Sequence, residues 1–383
     1  MTLVLGACGH SYFGKGYLEK PAEKVVSDSI WMDEGLVFIR ARVNGVEGNF
    51  LIDNGFSSSG MDAAFMKKCQ LKFKGQSGAT DANNQKVSLA KGKVRDIEIA
   101  GFHFKKTKAY QIDTKVFFPC YSVDGVIGAS IINKANWHFN FKAKKLRIST
   151  EPFELDGQKI PAIYYSNNRA GLPLRIKGIE VNCRVDLGMS AAMKLRMRDF
   201  KTALQGEEAK FILGSTSISV GGLAKPDTVI ETKEAFPIYN GDEKLEEPTQ
   251  IRLQKKIKYP ATVGMGYLKR YELVINTDNS EYILKPQSKS AAEVKGYSAG
   301  LYHKKGQVVL VATTMGSSYS LPLEVGDTVN SINGLSADSI MDICDLKSAL
   351  QKHKKQEDSL SLEIKGKGRI ILPFEEPIYL AIP

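Results

Sequence analysis

The amino-acid sequence predicts an all-β chain of two barrel-like lobes in tandem, followed by a smaller α+β domain. Three observations carry that prediction: short strands of period-two alternation, a long internal repeat, and a change of pattern near Ala291. In the first copy of the repeat, Val37, Ile39, Ala41 and Val43 alternate with Arg40, Arg42 and Asn44, the pattern of a half-buried strand. Ile39, Ala41, Val43 and Gly45 recur 133 positions later as Leu172, Leu174, Ile176 and Gly178, and the same offset carries Asp53-Asn54-Gly55 onto Asp186-Leu187-Gly188. Each copy therefore reads as strand, tight turn, strand, then Asp-x-Gly. Farther on, Val126-Ile127-Gly128 with Ile131-Ile132 returns as Thr262-Val263-Gly264 with Tyr267-Leu268, now at an offset of 136. A strand pair closes each copy: Trp137, Phe139, Leu146 and Ile148 match Leu273, Ile275, Tyr282 and Leu284, with hairpin loops at Lys142-Ala143-Lys144-Lys145 and Asn276-Thr277-Asp278-Asn279. One short helix per copy completes the pattern.

After the repeat come a strand from Gln307 to Ala312 and a turn-strand-turn segment from Leu323 to Gly334, with Gly326-Asp327 and Asn333-Gly334 as its tight-turn dipeptides. Asp342 to His353 is an amphipathic helix with Ile343, Leu346, Ala349 and Leu350 on one face, and Ser359 to Ile371 supplies closing strands. The domain boundaries follow: a leader over 1–24, lobes over 25–153 and 154–288, and the C-terminal domain over 289–383.

Composition narrows the function. With 383 residues, 43% hydrophobic and 25% charged, the chain can bury several cores, and no apolar run approaches the ~18 residues of a membrane-spanning helix. The net charge of +11 is scattered in pairs such as Lys67-Lys68, Lys144-Lys145 and Lys255-Lys256. Without stacking aromatics or a helix-turn-helix pattern, that is a solvated basic surface, and no nucleic-acid partner is expected. Cys8, Cys69, Cys120, Cys183 and Cys344 are too dispersed for a disulfide scaffold or a CxxC pair, and the five histidines form neither HExxH nor a Ser-His-Asp set. No metal and no cofactor are expected.

An Asp-x-Gly at the end of an apolar strand also marks plain turns. Its weight here comes from duplication in register, each copy followed 75 to 78 residues later by apolar-apolar-Gly. That combination resembles the aspartic-peptidase superfamily of pepsins and retropepsins, over about two thirds of the chain. The resemblance implies an acid-protease-like pair of barrels in which each half donates one catalytic carboxylate, Asp53 and Asp186. Two carboxylates held close cannot both ionise, so one activates water while its protonated partner polarises the scissile carbonyl, and the two would fill these roles interchangeably. Asn54, Gly55, Leu187, Gly188, Ile127, Gly128, Val263 and Gly264 would support the catalytic loops. Flaps closing over an extended peptide or protein substrate would lie around Gly78-Ala79-Thr80 and Gly214-Ser215-Thr216. The family has Thr or Ser where this chain has Asn54 and Leu187. Leucine cannot hydrogen-bond, so the grip joining the loops is expected to lose one side at ~1–3 kcal/mol.

Leu323 to Gly334 resembles the PDZ signature. This implies a domain that adds a peptide ligand as an extra strand beside the helix, with Gly300-Leu301-Tyr302 as the loop that catches its terminal carboxylate. At the N-terminus, Leu3-Val4-Leu5-Gly6-Ala7-Cys8 resembles the end of a bacterial lipoprotein signal, which would make Cys8 a lipid anchor, although only seven residues and no basic region precede it. The expected location is the periplasm or cell envelope. Three readings stand: an extracytoplasmic aspartic endopeptidase, a catalytically degenerate peptide-binding protein on the same scaffold, and a structural lipoprotein that uses its lobes as an interaction surface.

Overall fold

The computed structural model describes residues 16–165, 169–245, 247–287, 295–316 and 323–383. Cys8 lies outside the described residues. The chain is mostly β. In its first third, β1 (Leu36–Val43) and β2 (Val46–Asp53) are joined at Asn44-Gly45, whose φ angles of 50° and 85° suit the two residue types that tolerate the left-handed region. β3 (Ser59–Asp62), the hairpin of β4 (Gly75–Thr80) and β5 (Lys86–Ile99), β6 (Phe102–Ile112) and β7 (Gly125–Gly128) follow. The middle third holds β8 (Ala170–Ile176), β9 (Ile179–Asp186), β10 (Met193–Arg196), β11 (Glu208–Gly214), β12 (Asp227–Phe236), β13 (Thr249–Gln254) and β14 (Ala261–Gly264).

The two sets are hydrogen-bonded alike. β1 with β2, and β8 with β9, are antiparallel hairpins. β7 lies parallel to β2 with Gly128 opposite Asp53, and β14 lies parallel to β9 with Gly264 opposite Asp186. β3 bridges β7 and β6 as β10 bridges β14 and β13. The repeat read from sequence is thus repeated register.

Between the lobes lies a six-stranded sheet in which Asn136–Asn140 pairs with Tyr271–Asn276 at the centre and hairpin partners flank them. Trp137, Phe139, Leu273, Ile275, Tyr282 and Leu284 are all buried there, in one core continuous with both lobes. That burial, not local turn chemistry, fixes the lobes against each other.

The C-terminal segment has its own core, built from Val308, Val329, Ile332, Leu346, Leu360, Leu362 and their neighbours. β15 (Ala299–Lys304) and β16 (Gln307–Thr314) form a hairpin, and the helix Ile343–Gln356 is capped by the Asp342 side chain. Asn333 and Gly334 take φ of 48° and 81°, the turn their identities require. Gly300-Leu301-Tyr302, expected as a loop, is instead part of β15, with a bulge between Gly300 and Leu301. The strand forms because the alternating apolar residues of β16 pair with it along its length.

The cysteines also depart from expectation: Cys120 and Cys344 form a disulfide across 224 residues, tying the first lobe to the start of the C-terminal helix. Spacing along the chain cannot reveal such a pair. Lys347 reinforces the joint, at 2.7 Å from Glu34 and 5.6 Å over the Tyr121 ring. On the other side β16 extends the second lobe, with Ile212 opposite Thr314 and Gly214 opposite Ala312. No described helix is long and apolar enough to cross a membrane.

Candidate active site

Asp53 ends β2 and Asp186 ends β9, and the structure brings their carboxyls together at the junction of the lobes. The loops meet by exchange. A β-carbon on Gly55 would overlap the Asp186 carboxyl, and one on Gly188 would overlap the Asp53 carboxyl. Neither glycine has a positive φ. They are required for the close approach of the opposite carboxyl, where a side chain has no room.

Each carboxylate is also held by its own loop: Phe56 N donates to Asp53 Oδ1 at 3.0 Å and Gly188 N to Asp186 Oδ1 at 3.1 Å. The apolar-apolar-Gly segments buttress these loops. A β-carbon on Gly128 would overlap the Ser58 carbonyl, and one on Gly264 would crowd the Met189 and Ala191 carbonyls. Ile127 and Val263 beside them are buried in the core. Ala129 N donates to Phe56 O at 2.8 Å and Met265 N to Met189 O at 2.7 Å, so each supporting segment is pinned to its Asp loop.

The expected loss of the grip is corrected. Asn54 Oδ1 accepts the Leu187 backbone N–H at 2.8 Å, and Asn54 Nδ2 donates to the Tyr282 hydroxyl at 3.2 Å. The asparagine supplies both a donor and an acceptor, so the Leu187 side chain packs into the core, 1% exposed, and Asn54 keeps partners at both ends of its amide.

The two aspartates are not equivalent. Burial first, and then the Asp186 charge, push Asp53 up to about 7, against the opposing pull of Arg184 and Arg169. Arg184 Nη2 forms an ion pair with Asp186 Oδ2, and its guanidinium lies 4.7 Å over the Tyr259 ring. Tyr259 in turn accepts a hydrogen bond from Arg169 Nη1 at 3.1 Å. The dyad thus has a cationic wall on one side only. Sequence reasoning passed over Arg184, although the repeat offset sets it against Leu51.

Of the two segments expected as flaps, Gly78, Ala79 and Thr80 lie in β4 of a hairpin whose turn is organised by Asp81, which accepts from Asn83 N at 3.0 Å and Gln85 N at 2.7 Å. The second differs. Gly214, Ser215 and Thr216 stand at the end of β11 where Ser215 N donates to Val311 O at 2.7 Å, so they form a base clipped to the C-terminal unit. The tip lies beyond them, in the pairing of Ile218-Ser219 with Gly222-Leu223. The two tips lock together. Ser217 Oγ donates to Asn83 Oδ1 at 2.7 Å, Gly221 N to Asp81 Oδ2 at 3.1 Å, and Gln85 Nε2 to Leu223 O at 3.1 Å.

Residues 39–131 match the aspartyl protease family. A solved structure of a retropepsin-like aspartic protease from Rickettsia conorii is similar over 35% of this chain and 93% of that one, at 17% identity and a TM-score of 0.25. No curated protein matches the chain.

Proposed function

We propose that this protein is an aspartic endopeptidase whose water is activated between Asp53 and Asp186. The observation that carries the reading is the closely held carboxyl pair with each loop glycine seated against the opposite aspartate. Arg184 assigns the roles. Paired with the guanidinium, Asp186 is the anionic member and takes the proton of the water, while Asp53, protonated up to about pH 7, donates to the scissile carbonyl. The interlocked tips would cover an extended peptide over the dyad and exclude water.

The C-terminal unit is read as a PDZ-like domain. A peptide would add as a strand beside β15 and the helix Ile343–Gln356. An extracytoplasmic location fits the Cys120–Cys344 disulfide, because such bonds persist in oxidising compartments. Lipidation at Cys8 remains part of that proposal.

One observation favours the rival reading of a degenerate peptide binder: the ion pair between Arg184 and Asp186 draws on the carboxylate that must act as base. Cleavage of a diverse peptide library from about pH 3 to 8, by the wild type beside Asp53→Asn and Asp186→Asn, separates the two. Activity abolished by either substitution establishes the dyad; equal inertness of all three proteins rejects it.

A further inference from the structure

Strand register lines up one row of residues across each lobe, on the face of β2 and β9 that carries the aspartates, since residues two apart on a strand share a face. In the first lobe the row runs through Phe38, Leu51, Val126, Gly60 and Tyr110. The same pairings in the second lobe give Gly171, Arg184, Thr262, Lys194 and Arg252, and the row continues to Glu231 and Lys210. Three of the five matched positions carry a cation in the second lobe where the first has none: Arg184 for Leu51, Lys194 for Gly60 and Arg252 for Tyr110.

The apolar row is a packed wall: Phe38, Leu51, Val126 and Tyr110 are all buried. In the cationic row Arg184 is matched by Asp186, while Arg252 and Lys210 share the single carboxylate of Glu231. Lys194 is half-buried between them, and its ammonium makes no hydrogen bond or ion pair with the described residues. Burial and the neighbouring Arg252 charge bring its ammonium down to about 8, so it is still a cation at neutral pH. A half-buried cation beside two guanidinium groups is costly unless an anion arrives to neutralise it.

We infer that the second lobe's side of the cleft selects a substrate residue with a carboxylate side chain, held by Lys194 with Arg184 and Arg252, while the first lobe's side takes an apolar residue. This rests on the peptidase reading above, which supplies the cleft. The wall is chemically specific. A carboxylate gives the Lys194 ammonium a direct partner, whereas an amide of the same shape leaves it only the Asp186 and Glu231 charges that already serve Arg184, Arg252 and Lys210.

The test uses a matched pair of peptides, drawn from whatever the library shows to be cut, that differ only as Glu or Gln at one position beside the scissile bond. Wild type is expected to prefer Glu by roughly tenfold or more in kcat/KM, as befits one charge-assisted hydrogen bond. Lys194→Met should bring that ratio down toward one, and Lys194→Arg should keep it. Cleavage without acidic preference, or a preference untouched by Lys194→Met, overturns the subsite and leaves the peptidase intact. Fluorescence anisotropy with labelled acidic and neutral peptides supplies a readout free of catalysis. If nothing is cut yet the acidic peptide binds better and Lys194→Met abolishes the difference, the peptidase reading falls and the subsite stands. If peptides are neither cut nor distinguished in binding, both fall.

Discussion

Asn54→Leu probes the joint on which the paired aspartates depend. Asn54 is 2% exposed and spans the two lobes, accepting from Leu187 N at 2.8 Å and donating to the Tyr282 hydroxyl at 3.2 Å. Leucine has nearly the same volume but can do neither. It would strand one buried N–H and one buried hydroxyl, each at about 1–3 kcal/mol, for a total loss of roughly 2–6 kcal/mol. Tyr282→Phe alone should cost about 1 kcal/mol. Combined with Asn54→Leu it also removes the stranded hydroxyl, so the double mutant should lose less than the sum by about 1–2 kcal/mol. Urea unfolding, followed by the fluorescence of the fully buried Trp137, measures both effects as midpoint shifts at constant slope. Asn54→Thr keeps an acceptor for Leu187 N and should retain most of the stability. A loss below about 0.5 kcal/mol for Asn54→Leu, or an additive cycle, would refute the argument that this asparagine replaces the missing hydroxyl pair.

Activity should decline as pH rises through about 7, because Asp53 must hold its proton to act as the acid. Arg184→Leu removes a cation that favours ionised Asp53, so that limb of the kcat/KM profile should move to higher pH; a limb that stays in place or moves down contradicts the assignment of roles. Reduction of Cys120–Cys344, or Cys120→Ser with Cys344→Ser, opens a loop of 224 residues and should cost about 5 kcal/mol by chain entropy, read as a fall in the urea midpoint. Insensitivity of the wild type to reductant would count against that crosslink. Asp81→Ala removes the acceptor for both its own turn and Gly221 N, and should speed amide hydrogen exchange at 82–85 and at 217–223 together. Faster exchange in the first tip alone would mean the tips are not locked.

Much of the fold was legible because it is written twice. An offset of 133 residues between two Asp-x-Gly loops reports a repeated strand order, and the apolar-apolar-Gly segments report the strands that support them. The same comparison holds the signal that was missed: aligned copies place Arg184 on Leu51 and, across strand register, Lys194 on Gly60. The second flap was misplaced by a few residues because β11 ends where the C-terminal strand β16 clips it, a contact between segments about a hundred residues apart.

Chain chemistry alone determines where strands alternate, which turns need Asn or Gly, and that two carboxylates end equivalent strands, because these depend on residues near one another in sequence. Tertiary structure decides which glycine lies against which aspartate, that Asn54 reaches both Leu187 and Tyr282, that Cys120 meets Cys344, and that one aspartate is paired with a guanidinium while burial pushes the other's carboxyl up. The physical reason is that hydrogen bonds, ion pairs and burial act through space at a few ångströms, and only the packing of the inter-lobe sheet brings residues from separate copies within that range.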